Sequence, residues 1–390
     1  MGDRLNSGRF GAYFHLPFCD TKCIYCDFFS LTNTEQASRF YSALLAETDL
    51  WFSSQSEIPQ GPLTSVFFGG GTPSLTDPDQ IGRFLEKLFA HRPPAAGCEV
   101  TLEANPGTLD PGKLRDFRSV GINRLSLGVQ SFDDQDLKTL SRIHSAKTAI
   151  RTVEDAARVG FSSISVDLIF GLPGQDTEKW KKNLSQVIAL PIQHVSAYNL
   201  IVEEKTPLYH MVRQGSIRVA EEDDCADMYD LTISELGSAG FGHYEVSNFA
   251  KSGHESVHNR TYWSYQPWLA FGPSAWGFWS GFRYKNVRNL SQYCEKIETG
   301  TLPAAEKETI SPETELNERL MLAVRTTEGC SLLPVWQNLN PSEQSVLRQK
   351  FDRLQKDGYI NWFEPDLSAT PAGLRFGDSL ATDLMVPTKH

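Results

Sequence analysis

Between residues 11 and 199, six short apolar runs alternate with amphipathic stretches. The runs fall near 11–17, 63–71, 98–103, 123–129, 163–169 and 193–199. The stretches that follow carry helical periodicity over about 36–52, 78–90, 111–119, 134–141, 146–159 and 176–189. Antiparallel neighbours need only a tight turn, whereas parallel strands need a crossover of roughly a dozen residues or more. The alternation therefore predicts an α/β fold with a parallel sheet and crossover helices. Right-handed crossovers in sequence order curl such a sheet into a partial (β/α)6 barrel. In barrels of this kind, chemistry sits at the C-terminal ends of the strands.

Polar or small residues recur at those ends. Gly69, Gly70, Gly71 and Thr72 end the second run, Glu103 the third and Gln130 the fourth, with Asp167 late in the fifth and Asn199 closing the sixth. A buried polar side chain without a partner is costly, so their repetition strand after strand points to a common ligand. After the first run come Cys19, Cys23 and Cys26, in HLPFCDTKCIYCDFF. Three thiolates hold three corners of an iron–sulfur cube and leave the fourth iron open to a small molecule. A structural zinc site takes four protein ligands, and a ferredoxin-type carrier takes four cysteines per cluster. The other cysteines, Cys98, Cys225, Cys294 and Cys330, are scattered and make an odd total of seven, which predicts reduced thiols rather than disulfides.

A chain of 390 residues suits two or three domains. The patterning divides it into a barrel with its cluster over 1–205, a mixed region over 206–305 and a small winged-helix-like domain over 306–390. The mixed region holds TYWSYQPWLAFGPSAWGFWSGFRY, with four of the eight tryptophans. A winged helix can bind DNA. Here, however, its second helix mixes Arg348, Lys350 and Arg353 with Glu343 and Asp352, and the net charge of −11 argues against nucleic acid. No apolar run approaches the roughly 18 residues of a membrane helix, and the first residues lack a hydrophobic signal core. The expectation is a cytoplasmic protein.

The run Tyr13, His15, Pro17 and Phe18 before the cysteines, GGGTP at 69–73, GVQSF at 128–132 and DLIFGLPGQ at 167–175 together resemble the radical S-adenosylmethionine superfamily, in its coproporphyrinogen dehydrogenase-like branch. The resemblance implies a [4Fe-4S] cluster on Cys19, Cys23 and Cys26, with S-adenosylmethionine chelating the open iron before its sulfonium is cleaved reductively. It also implies that Tyr13, Gly70 and Glu103 contact a first S-adenosylmethionine. Tyr25, Gly71, Thr72, Gln130, Arg142 and Asp167 would form a second such site, where an arginine suits a carboxylate through paired hydrogen bonds.

Within that branch the chain resembles the HemW type, a haem chaperone, more than the enzyme that decarboxylates a porphyrinogen. Asp27 and Phe28 follow the third cysteine, where the dehydrogenase usually carries another cysteine, and Cys19 lies too near the N-terminus for the dehydrogenase's N-terminal extension. HNRTYW at 258–263 matches the HemW signature HNxxYW. This resemblance implies haem as ligand, acceptor haemoproteins as partners and a homodimer, and it leaves room for peripheral contact with membranes. The alternative is a radical enzyme, such as the oxygen-independent coproporphyrinogen III dehydrogenase or a related methyltransferase.

Histidine is a common axial ligand of haem iron and aromatic rings suit a flat apolar ligand, so His258 is the candidate haem ligand. One departure stands out. Many sequences of the type carry a further histidine after a glycine-rich turn, and GPSAWG at 272–277 places Trp276 there. His254, Glu255 and His258 also spell HExxH, a zinc motif when both histidines share a helix face. Gly253 and the absence of an apolar helical period argue against such a helix.

Overall fold

A computed structural model describes residues 9–54 and 58–386. Six strands, β1 (Phe10–Leu16), β2 (Leu63–Gly70), β3 (Pro94–Ala104), β4 (Arg124–Gln130), β5 (Ser163–Phe170) and β6 (His194–Asn199), pair in sequence order, all parallel. The crossovers carry helices at Ala37–Ser54, Pro78–His91, Pro111–Ser119, Ala146–Val159 and Thr177–Ile188, with a shorter one at Asp134–Thr139. This is the partial barrel expected from the alternation. Most boundaries agree to within a residue or two. β3 begins earlier because its exposed start, Pro94–Gly97, joins β2 through a shifted register and carries no apolar signal.

The helices start where a side chain satisfies their free amides. Asp77 accepts from the Asp79 N–H, Asp110 from Lys113, Ser145 from Thr148 and Asp176 from Lys179. Each such cap contributes about 1 kcal/mol. On the helix side of the sheet, the Phe14 ring meets Phe68 at 5.1 Å and Phe271 at 4.8 Å.

The sheet does not end with β6. The segment 206–305, expected as a mixed region, supplies β7 (Gly242–Glu245), β8 (Asn248–Ala250), β9 (Trp268–Phe271), β10 (Trp276–Trp279), β11 (Phe282–Asn286) and the start of β12 (Ala304–Thr309), which runs on past residue 305. The order is β12-β11-β10-β9-β1-β2-β3-β4-β5-β6-β8-β7. β9 lies parallel to β1, and β8 antiparallel to β6, so both edges of the barrel strands are covered. One hydrophobic core runs from Phe10 to Ile297.

The C-terminal part has its own core around Leu316, Leu320, Trp336, Leu347 and Phe351. Helices Pro312–Ala323, Leu333–Trp336 and Pro341–Lys356 accompany β13 (Cys330–Ser331), β14 (Ile360–Phe363) and β15 (Asp366–Ala369), ordered β13-β15-β14. Helix, strand, two helices and a two-stranded wing make the winged-helix arrangement. Among the described residues, no helix is long and apolar enough to cross a membrane.

A buried carboxylate ties the first helix to the aromatic extension. Glu47 accepts from the Gly272 N–H at 2.7 Å, Asn286 Nδ2 at 2.7 Å, the Tyr293 hydroxyl at 2.6 Å and Trp51 Nε1 at 3.2 Å. Burial pushes its carboxyl up to about 7, while these donors pull the other way. An unfolded glutamate titrates near about 4.3, so between these values the folded chain binds the extra proton. Stability from this site is therefore greatest at low pH and declines as pH rises through the window. Glu47→Gln is expected to flatten that slope in denaturant unfolding. Glu47→Ala, which strands the donors, is expected to cost at least about 1–3 kcal/mol.

Candidate functional site

The cysteines sit on the loop that leaves β1. Backbone bonds pin this loop from both sides. Cys19 N–H donates to Leu31 O at 2.9 Å, Thr72 N–H to Phe18 O at 2.8 Å and Gly71 N–H to Leu16 O at 2.9 Å. The end of β2 thus passes directly beneath the loop, and only glycine fits there. A Cβ at Gly71 would lie 2.7 Å from Phe18 O. Gly70 has φ +111°, and its Cβ would meet the His15 ring at 2.6 Å.

A cavity of about 560 Å³ opens at the C-terminal ends of the barrel strands. Cys19, Cys23 and Cys26 line one side, with Gly70, Gly71 and Thr72 beside them. Tyr25, Glu103, Gln130, Arg142 and Asp167 also line it. The residues that the resemblance divides between two sites therefore share one space, apart from Tyr13. Tyr13 lines a separate groove, next to Tyr262 and Trp268, with its hydroxyl 3.1 Å from His15 Nδ1.

Each cavity residue is held by specific contacts. Thr72 Oγ1 lies 3.4 Å from Cys19 Sγ, and Arg142 Nη1 lies 3.5 Å from Cys23 Sγ. Arg142 Nη2 donates to Gly128 O at 2.6 Å. Gln130 takes φ +69° at the register shift between β4 and β5, which turns the strand end. Asp167 accepts from Ser126 Oγ at 2.9 Å. Glu103 accepts from the Gly70 N–H at 3.2 Å. Burial, with Asp167 nearby, pushes Glu103 up to about 7, and burial raises Asp167 as well. Burial also lifts the Cys19 and Cys26 thiols, against hydrogen bonds from Thr72 and Ser30 at Cys19.

His258 is not at this cavity. It is 1% exposed, on the helix Val257–Trp263. Its Nδ1 lies 2.9 Å from Ser65 Oγ and its Nε2 2.7 Å from the Tyr262 hydroxyl, so both ring nitrogens are engaged. Burial pushes its pKa down to about 3, keeping the ring neutral. His254 precedes this helix, so the two histidines of HExxH do not share a helix face.

Ser126, Asn105 and Tyr198 also line the cavity and were not singled out from the sequence. Ser126 was within reach of it: Ser126, Gly128 and Gln130 alternate along β4 and so share one face.

The donor set fits an iron–sulfur cluster: three reduced cysteines, Cys19, Cys23 and Cys26, border one cavity. Arg142 is the second indication. Its guanidinium is largely buried, has no carboxylate partner among the described residues, and leaves Nε without an acceptor. A buried cation without a counter-ion is costly; an anionic group among the thiols would supply one.

Parallel barrel strands and a three-cysteine loop on the first of them define a radical SAM protein, and residues 13–187 match the Radical SAM superfamily. The chain is 32% identical over 371 residues to "Heme chaperone HemW" of Bacillus subtilis (strain 168), covering 95% of this chain and 97% of that protein. It is 33% identical over 380 residues to the protein of the same name from Mycobacterium tuberculosis (strain ATCC 25618 / H37Rv), covering 96% and 95%. The chain belongs to the HemW haem-chaperone family. It is also 41% identical over 276 residues to "Radical S-adenosyl methionine domain-containing protein 1, mitochondrial" of Bos taurus, covering 70% of this chain and 61% of that one. Among solved structures, coproporphyrinogen III oxidase (HemN) from Escherichia coli shares the fold, with a TM-score of 0.80 at 21% identity, over 97% of this chain and 90% of that one.

Gly71→Ala tests the close passage under the loop. The added methyl meets backbone rather than a yielding side chain, so the loop must shift. The expected outcome is a folded protein whose iron content after anaerobic reconstitution falls at least severalfold.

Proposed function

We propose that the chain binds haem and delivers it to acceptor haemoproteins, while Cys19, Cys23 and Cys26 hold a [4Fe-4S] cluster beside bound S-adenosylmethionine. The observation that carries this reading is an adjacency. The helix Val257–Trp263, which contains the HNRTYW signature, sends Tyr262 into the same groove that Phe28 of the cysteine loop lines. The segments that set this chain apart from the dehydrogenase in sequence thus meet in space.

When bound, the cluster supplies an open iron for the amino and carboxylate groups of S-adenosylmethionine and an electron for its sulfonium. The chain's own residues bind and orient. Gly70 and Gly71 let the backbone approach the ligand. Glu103 and Asp167, raised by burial, offer polar oxygens to its amine N–H and hydroxyl groups. Arg142 balances negative charge at the cysteine end. Because these residues share one cavity, we assign them to one S-adenosylmethionine rather than two.

A second reading, radical catalysis as in the dehydrogenase or a methyltransferase, draws on the same cavity. Anaerobic incubation with coproporphyrinogen and S-adenosylmethionine separates the two: formation of protoporphyrinogen overturns the chaperone reading. The chaperone reading expects no product, and transfer of haem from the loaded chain to an apo-haemoprotein, seen in the acceptor's spectrum. Replacing the three cysteines by alanine is expected to abolish iron binding after reconstitution.

For His258, ligation of haem iron requires the ring to leave Ser65 or Tyr262. Holding Tyr262 in place requires no movement. His258→Ala titrated with haem distinguishes these: a weakened affinity with an unchanged Soret band is the expected result, and a changed axial-ligand spectrum would assign His258 to the iron.

A further inference from the structure

A groove of about 400 Å³ opens on the far side of the cysteine loop from the barrel cavity. That volume lies within the roughly 300–1,000 Å³ of small-molecule sites. Its walls are of two kinds. Phe28, Tyr262, Trp268 and Trp276 supply flat apolar rings, and Lys285 and Arg288 supply cations. Phe28 is 73% exposed and Trp276 43%, in a chain that buries most of its large aromatic side chains. The rings behind them are fixed: Trp268 Nε1 donates to Trp276 O at 2.7 Å, and His258 holds the Tyr262 hydroxyl.

The cations are available to a ligand. Lys285 Nζ lies 4.7 Å from the Trp276 ring centroid, and its ion-pair partner Glu306 is 3.7 Å away and 65% exposed, a contact of little strength. Arg288 lies over the Phe29 ring at 5.4 Å and has no carboxylate partner among the described residues. Asp27 is the acid in the lining. Two basic groups beside exposed aromatic faces, in a chain of net charge −11, select a ligand with a flat apolar body and carboxylates at its edge. Aromatic faces attract such a body, and charge-assisted hydrogen bonds hold carboxylates.

We propose that this groove binds haem, with the ring against Phe28 and Trp276 and the propionates at Lys285 and Arg288. The proposal rests on the haem-carrier reading above. Affinity then comes from stacking and carboxylate pairing.

The test titrates the full chain with haem and with haem dimethyl ester, following tryptophan fluorescence and the Soret band. The wild type is expected to bind the ester roughly tenfold to a hundredfold more weakly than haem, the range for hydrogen bonds to charged groups. The double variant Lys285→Ala/Arg288→Ala is expected to bind haem as weakly as it binds the ester. Trp276→Ala is expected to weaken both ligands about tenfold. Equal wild-type affinity for acid and ester overturns the carboxylate assignment without any variant. Unchanged haem affinity in the variants, with saturable wild-type binding, removes the groove and leaves the haem-carrier reading standing. Absence of saturable haem binding by the wild type overturns both.

Discussion

Much of the molecule depends on β1 having parallel hydrogen-bonded neighbours on both sides, β2 and β9. A strand held twice cannot slip without breaking two ladders. A slip of one residue would exchange its faces, turning Phe14 out of its aromatic stack and Tyr13 and His15 into the helix layer. Gly11, Tyr13 and His15 alternate along the inner face, and Gly11 leaves room for the His258 ring, which lies 3.3 Å from where its Cβ would be. The cysteine loop inherits its position from this strand, and the glycine turn of β2 fits beneath it. Barrel and aromatic extension thus meet on the strand that delivers the cysteines.

Much of this was legible in the sequence, for physical reasons. A parallel strand covered on both faces reads as a short apolar run, and the Asp and Ser caps mark where the crossover helices start. The cavity residues stood out because polar groups at the ends of such runs need a reason to be there. β9–β12 were not legible. Their aromatic stretch is packed too heavily to alternate, and β9 finds its parallel partner some 250 residues back in the chain, at β1. The aromatic residues around His258 are visible in the sequence, while the engagement of its Nδ1 comes from Ser65, 193 residues away. Tyr13 lines the groove rather than the cavity, although it lies close to Glu103.

The charge arrangement in the cavity is lopsided. Arg142 stands at the cysteine end, and Glu103 and Asp167 lie on β3 and β5, with β4 between them. Burial raises both acids, which eases the repulsion between them. A ligand with a charged end and a hydroxyl-bearing end meets different groups on different walls, which favours one orientation over its reverse.

Asp27 and Phe28 line both the cavity and the groove. A partition shared by two chambers cannot move for one alone. Whatever orders the cysteine loop also shapes the groove, and whatever presses on Phe28 is felt at the cysteines. Thermodynamic linkage makes such an influence mutual, with each occupant altering the other's affinity by the same factor. The short stretch after Cys26 is therefore the wall through which the two spaces are joined.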